Sequence, residues 1–158
     1  MPEPDPMPDD ALGLGEFLCF AVYAAGHAFN RVYKPLLSRL GLTYPQYLVM
    51  VALWEQDDRT VGSLGARLSL DSNTLTPLLK RLEAAGLLAR TRDLADERQV
   101  RVRLTAPGRT LRAEASDIPR CVLQATGLTP EDAGRLQREI AALREALERH
   151  ARAREGEA

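Results

Sequence analysis

The sequence predicts a mainly α-helical fold interrupted once by a short β-hairpin. Three observations predict it. Ala, Leu and Arg, all good helix formers, dominate a chain of 158 residues in which aromatic residues make up only 5%. Apolar residues recur at helical spacing along most of its length. Between Leu87 and Leu104 the period changes: Val100, Val102 and Leu104 alternate with Arg101 and Arg103, the pattern of a half-buried strand. With 45% hydrophobic residues, a chain of this size can bury a core without disulfides or metals.

The opening MPEPDPMPD, residues 1–9, is rich in proline and acid and is expected to be a disordered tail. From Asp10 to about Leu40, Leu14, Phe17, Leu18, Ala21, Val22 and Ala25 mark an amphipathic helix that Pro35 disturbs and Gly41 ends. Thr43 can cap the next helix, roughly Tyr44 to Gln56, with Pro45 tolerated in its first turn. Asp57-Asp58-Arg59 is a turn. Thr60 then caps a short helix to about Leu68, and Asp71 or Ser72 caps a third through Ala85, closed by Gly86. Two helices separated by so few residues have helix-turn-helix spacing. The hairpin follows directly, with strands at Leu87–Thr91 and Gln99–Leu104, and that order is a winged helix-turn-helix. A further helix is expected from Pro107 to Gln124, carrying Cys121. After Gly127, Thr129 caps a last helix with Leu136, Ile140, Leu143 and Leu147 along one seam. That seam is too apolar to face water, so a partner subunit is expected to cover it.

The formal net charge is −1, which taken alone argues against nucleic acid. The average hides a local excess. From Lys80 to Arg112 there are nine bases against four acids, a surplus of five. Such a block on a neutral scaffold fits a DNA-reading element; the alternative is a solvated helix face, the commoner meaning of a charge run. Two cysteines, Cys19 and Cys121, with no CxxC pair, are too few for a secreted disulfide framework or a zinc site. No signal peptide and no membrane-length apolar run is read, so a cytoplasmic protein with no metal and no bound cofactor is expected.

The third helix opens DSNTLTPLLKRLE. Asp71, Ser72, Asn73, Thr74 and Thr76 form a polar N-terminal end suited to base edges and phosphates in a major groove. Lys80 and Arg81 can meet the DNA backbone, and Arg92 and Arg98 flank a turn that could enter a minor groove. Capping alone would account for Asp71 and Ser72, but not for a hairpin bearing arginines immediately afterwards. A protein-interaction module is the competing reading of the same features.

The stretch LTYPQYLVMVALWE, Leu42 to Glu55, is apolar enough for plain core yet carries tyrosines around a proline, and buried tyrosines need partners for their hydroxyls. With LCFAVYA (Leu18 to Ala24), YKPLL (Tyr33 to Leu37), DSNTLTPLLKRLEAAGLLAR (Asp71 to Arg90) and DERQVRVRLTAPG (Asp96 to Gly108), it resembles the MarR family of dimeric winged-helix regulators. The likeness is nearest to the organic-hydroperoxide-sensing branch. It covers Leu18 to Gly108, with Asn73 where glycine is common among relatives. It implies a single domain over residues 10–158, with dimerisation helices at 10–40 and 107–150 and a winged helix-turn-helix at 43–105.

The resemblance also implies function. The chain would be a homodimeric repressor, not an enzyme, that leaves its double-stranded operator when an organic hydroperoxide oxidises Cys19. Tyr33 and Tyr44 would donate hydrogen bonds to the Cys19 sulfur. Cys121 would resolve the oxidised Cys19 across the dimer, the two-cysteine scheme. The chemistry suits these residue types. A thiolate is the species that attacks a peroxide, a free thiol has a pKa of about 8.5, and phenolic donors favour the anion without adding a base. Phe17, Phe20, Val22 and Met50 are expected as apolar lining, and His27 shares the face of Cys19. Taken without the tyrosines, Cys19 among Leu18, Phe20 and Ala21 is a small buried hydrophobe. Two other readings stay open: a repressor controlled by a small phenolic or carboxylic ligand, and a thiol peroxidase.

Overall fold

The computed structural model describes residues 13–156, so the acidic tail expected at residues 1–9 lies outside the described residues. A single 3-10 turn at Leu14–Glu16 leads into helix α1, Leu18–Ser38. The first helix therefore begins at Leu18, as the two glycines Gly13 and Gly15 that flank the turn's first residue disfavour helix, and the start expected at Asp10 lies outside the described residues. Pro35 does not break it. One lost backbone hydrogen bond is tolerated, and the C-terminal carbonyls are met by Ser38 Oγ donating to Lys34 O (2.7 Å) and Arg39 Nε donating to Leu36 O (3.1 Å).

Helix α2, Tyr44–Glu55, starts at a capping box: Thr43 Oγ1 accepts from the Gln46 N–H and Gln46 Oε1 accepts from the Thr43 N–H. The expected turn at Asp57–Arg59 holds a short strand as well. Strand β1, Arg59–Thr60, pairs antiparallel with the wing, a contact that two residues are too few to announce by alternation. Helices α3, Val61–Leu68, and α4, Ser72–Ala84, are capped by Thr60 and Asp71, and α4 runs unbroken through Pro77. Gly65 is required in α3, because a Cβ there would sit 2.7 Å from the Leu70 carbonyl oxygen in the turn between these helices.

Strands β2, Leu88–Arg92, and β3, Val100–Leu104, complete a three-stranded sheet in the order β1-β3-β2. The expected hairpin is present, with Arg90 opposite Val102. Leu53, Leu64, Leu75, Leu79, Leu82, Leu88 and Val102 are fully buried and join α2, α3, α4 and the sheet in one core.

The helix expected from Pro107 to Gln124 is two. Helix α5 is Ala106–Glu114 and helix α6 is Ile118–Thr126. The reason is Pro119, which cannot donate to the preceding turn and restricts Ile118 before it. Cys121 thus lies in α6. Helix α7, Pro130–Glu155, follows Gly127 and is capped by Thr129. The chain divides into two compact units, one ending at Ser116 and one beginning at Asp117.

Candidate nucleic-acid interface and thiol site

Helix α4 buries Leu75, Leu78, Leu79 and Leu82, and this fixes which residues it shows to solvent. Ser72, Asn73, Thr74, Lys80 and Arg81 are exposed, and Thr76 is half-buried. Asp71 caps the helix, its Oδ1 accepting the Thr74 N–H at 2.8 Å. The wing comes close to this face. One shallow groove is lined by Ser72 and Thr76 of α4, Thr60 to Ser63 before and within α3, and Arg98 and Gln99 of the hairpin.

The basic block separates into two groups. Arg90 N–H, Nε and Nη2 all bond to the Glu83 carboxylate, at 2.9, 3.0 and 2.8 Å, and tie β2 to α4. Arg101 donates from Nε to Asp58 Oδ1 (2.7 Å), from Nη1 to Asp93 Oδ2 (2.9 Å) and from Nη2 to the Asp58 carbonyl (2.7 Å). Arg103 joins Asp58 at 3.0 Å, and Arg109 meets Asp57 at 3.3 Å. These arginines brace the wing. Hydrogen bonds from Arg101, then Arg103, hold the Asp58 carboxyl below the usual carboxylate range, and Arg101 does the same for Asp93. Lys80, Arg81 and Arg92 have no ion pair among the described residues and remain for an outside anion. Arg98 stands between the groups. Its side chain is 91% exposed, yet it bonds to Asp96 at 3.1 Å within the turn. Asp58 and Asp93 are functional supports that sequence reading missed; Asp58 lies 43 residues from Arg101, too far for any local pattern.

Cys19 is exposed on α1, in a shallow apolar depression lined by Leu14, Phe17, Phe20 and Tyr23. Phe17 and Phe20 are there as expected. Val22 is not among the lining residues, and Met50 is fully buried in α2. Tyr23 and Leu14 were missed, although Tyr23 stands one helical turn from Cys19. His27 is exposed and rests edge-on against Tyr23, ring centroids 4.4 Å apart. Tyr33 and Tyr44 do meet, with centroids 4.5 Å apart. Burial, then the neighbouring Tyr44 and Tyr47, pushes the Tyr33 phenol up to about 12, and burial raises Tyr44 as well. Both are therefore hydrogen-bond donors at neutral pH. The pair is not brought to Cys19 of the same chain. Cys19 and Tyr33 share one unbroken helix fourteen residues apart, which at the α-helical rise is about 21 Å. Cys121 is half-buried, its Sγ 3.9 Å from Asp117 Oδ2.

The family model for the SarA/Rot transcriptional regulators matches residues 31–115, from the last turns of α1 through the wing and α5. The chain belongs to the SarA/Rot family. It is 51% identical over 145 residues to the HTH-type transcriptional regulator TtmR of Methylorubrum extorquens, covering 92% of this chain and 73% of that protein. It is 44% identical over 138 residues to the organic hydroperoxide resistance transcriptional regulator of Bacillus subtilis, covering 87% and 94%. Among solved structures, AbfR of Staphylococcus epidermidis is similar in two states. Reduced AbfR bound to DNA has TM-score 0.72 at 34% identity, covering 85% of this chain and 93% of that one. Disulfide-formed AbfR has TM-score 0.58 at 38% identity, covering 82% and 91%. This SarA/Rot-family member is accordingly a winged-helix, DNA-binding transcriptional regulator of MarR type. Among the described residues, no helix is long and apolar enough to cross a membrane.

Proposed function

We propose that the protein is a homodimeric repressor that leaves its operator when an organic hydroperoxide oxidises Cys19. The observation that carries this reading is the Tyr33–Tyr44 pair, two protonated phenols side by side and out of reach of their own chain's cysteine. Such donors serve a thiolate only if it arrives from a second copy. A second copy is also what the open apolar faces require. On α1, Leu18, Val22 and Tyr23 are 62%, 43% and 64% exposed; on α7, Leu136, Ile140 and Leu147 are 45%, 46% and 62% exposed. The likeness to the Bacillus subtilis organic hydroperoxide regulator supports the signal.

The Cys19 thiolate attacks one peroxide oxygen, the O–O bond breaks, and the alkoxide leaves as alcohol after taking a proton. The product is a sulfenic acid at Cys19. The Cys121 thiol of the partner subunit then condenses with it, water leaves, and an intersubunit disulfide forms. Joining helices changes the separation of the two α4 helices, whose spacing must match a turn of DNA. In the reduced state Ser72, Asn73, Thr74 and Thr76 face bases or phosphates, Lys80, Arg81 and Arg92 meet the backbone, and Arg98 enters a minor groove.

A peroxide titration resolved on a non-reducing gel tests the scheme. A dimer-sized band that disappears in both Cys19→Ser and Cys121→Ser is expected. Oxidation confined to Cys19 by intact mass, with no band, would remove Cys121 from the scheme. No oxidation at all would end the peroxide reading.

A further inference from the structure

A row of aromatic rings continues inward from the tyrosine pair. Tyr33 of α1 lies 5.9 Å, centroid to centroid, from Tyr47 of α2, and Tyr47 lies 6.3 Å from Trp54 near the other end of the same helix. Tyr47 is 5% exposed, so its ring has no room to move alone. At the far end the Trp54 Nε1–H donates to the Gly108 carbonyl at 2.9 Å. Gly108 has no slack either, since a Cβ there would overlap the Leu87 carbonyl oxygen. Leu87 in turn accepts the Thr105 N–H at 3.1 Å, and Thr105 Oγ1 donates to the Gly86 carbonyl at 2.6 Å. Gly86 and Leu87 are the link from the recognition helix α4 to the first wing strand β2.

We infer that Tyr47 and Trp54 are positioning residues that transmit the state of the Tyr33–Tyr44 pair to the base of the recognition helix and wing. The inference rests on the peroxide-sensing reading and assigns its route. Tyr47 and Gly108 are buried at the middle of this route while Tyr33 and Trp54 are half-buried, so a displaced Tyr33 ring presses on a Tyr47 held by its surroundings, and a rotated α2 carries the Gly108 carbonyl with Trp54. A chain of packed rings ending in a hydrogen bond to backbone moves the α4–β2 link itself.

Trp54 is the sole tryptophan in the chain, so its fluorescence reports on this route directly. The test uses full-length protein, cumene hydroperoxide, and a DNA duplex selected by the reduced protein from a random-sequence pool. Operator affinity and Trp54 emission are measured before and after oxidation in wild type, Tyr47→Leu and Tyr47→Phe, with Trp54→Phe for affinity. Wild type is expected to lose tenfold or more in affinity with a shift in Trp54 emission. Tyr47→Leu should bind in the reduced state within about threefold of wild type, be oxidised at Cys19 equally, and lose less than threefold on oxidation. Tyr47→Phe keeps the ring and should release like wild type, and Trp54→Phe should release less. If Tyr47→Leu and Trp54→Phe both release DNA as fully as wild type, the route is wrong while sensing stands. If wild type itself does not release, peroxide sensing fails and the route fails with it.

Discussion

Tyr33 and Tyr44 hold their protons through burial, and that has a measurable consequence at the alkaline end. The Tyr33 phenol is pushed up to about 12 in the folded chain, against about 10 when unfolded. The unfolded chain therefore loses this proton first. Stability is whole below about pH 10 and is lost as pH rises towards about 12. Tyr33→Phe should flatten that fall in a series of thermal unfolding curves. The carboxyls that grip Arg101 behave in the opposite sense. Asp58 and Asp93 are held below the usual carboxylate range, so their contribution is present above that range and is lost as pH falls through it. Arg101→Met should remove much of the acid-side dependence, read as midpoint against pH. Asp71 separates capping from base reading. Asp71→Ala should cost about 1 kcal/mol in denaturant unfolding, as lost caps do, whereas Asp71→Ser, which keeps a cap, should restore both stability and DNA affinity.

The wing and α4 show why composition misled where geometry did not. Nine bases between Lys80 and Arg112 read as one footprint, yet Arg90, Arg98, Arg101, Arg103 and Arg109 are ion-paired to acids of the same chain. The opposing carboxylates include Asp57 and Asp58, far away in sequence and beside β3 only because β1 pairs with it. Binding isotherms at several salt concentrations should divide the two groups. Lys80→Ala, Arg81→Ala and Arg92→Ala should each lower the salt slope by about 1. Arg103→Ala should weaken binding without lowering it. The local signals were legible because they are local: Thr43, Thr60 and Thr129 as caps, and Gly86 after α4, all act within four residues. Pro119 was equally local, and the split between α5 and α6 could have been read from it. The tight place at Gly108 was not legible, because its neighbour Leu87 is brought back by the hairpin. Gly108→Ala should cost about 2–3 kcal/mol in denaturant unfolding through the forced backbone shift.

On the proposed reading, the separate elements make a functional protein only as a pair of chains. Helices α1 and α7 each present a row of large apolar side chains that a single chain leaves wet. Each such side chain contributes about 1.5–3 kcal/mol when fully covered, so Ile140→Glu should shift the protein to monomer in sedimentation velocity and weaken operator binding. The LCFA and LTYPQY segments were recognisable as motifs, but the motif does not say that their members belong to different chains. The helix supports the proposed cross-chain pairing, because about 21 Å of α1 separates Cys19 from Tyr33 of the same chain. The most direct measurement of the central claim is therefore made on mixed dimers, one chain Cys19→Ser and the other Tyr33→Phe with Tyr44→Phe. In such a dimer the intact cysteine and the intact tyrosines lie in different chains. If the thiol is served across the interface, this dimer keeps one complete sensor and is oxidised by cumene hydroperoxide at near the wild-type rate per site, whereas the dimer with all changes in one chain and none in the other is slow. The reverse order of rates, or equal rates, would contradict the account.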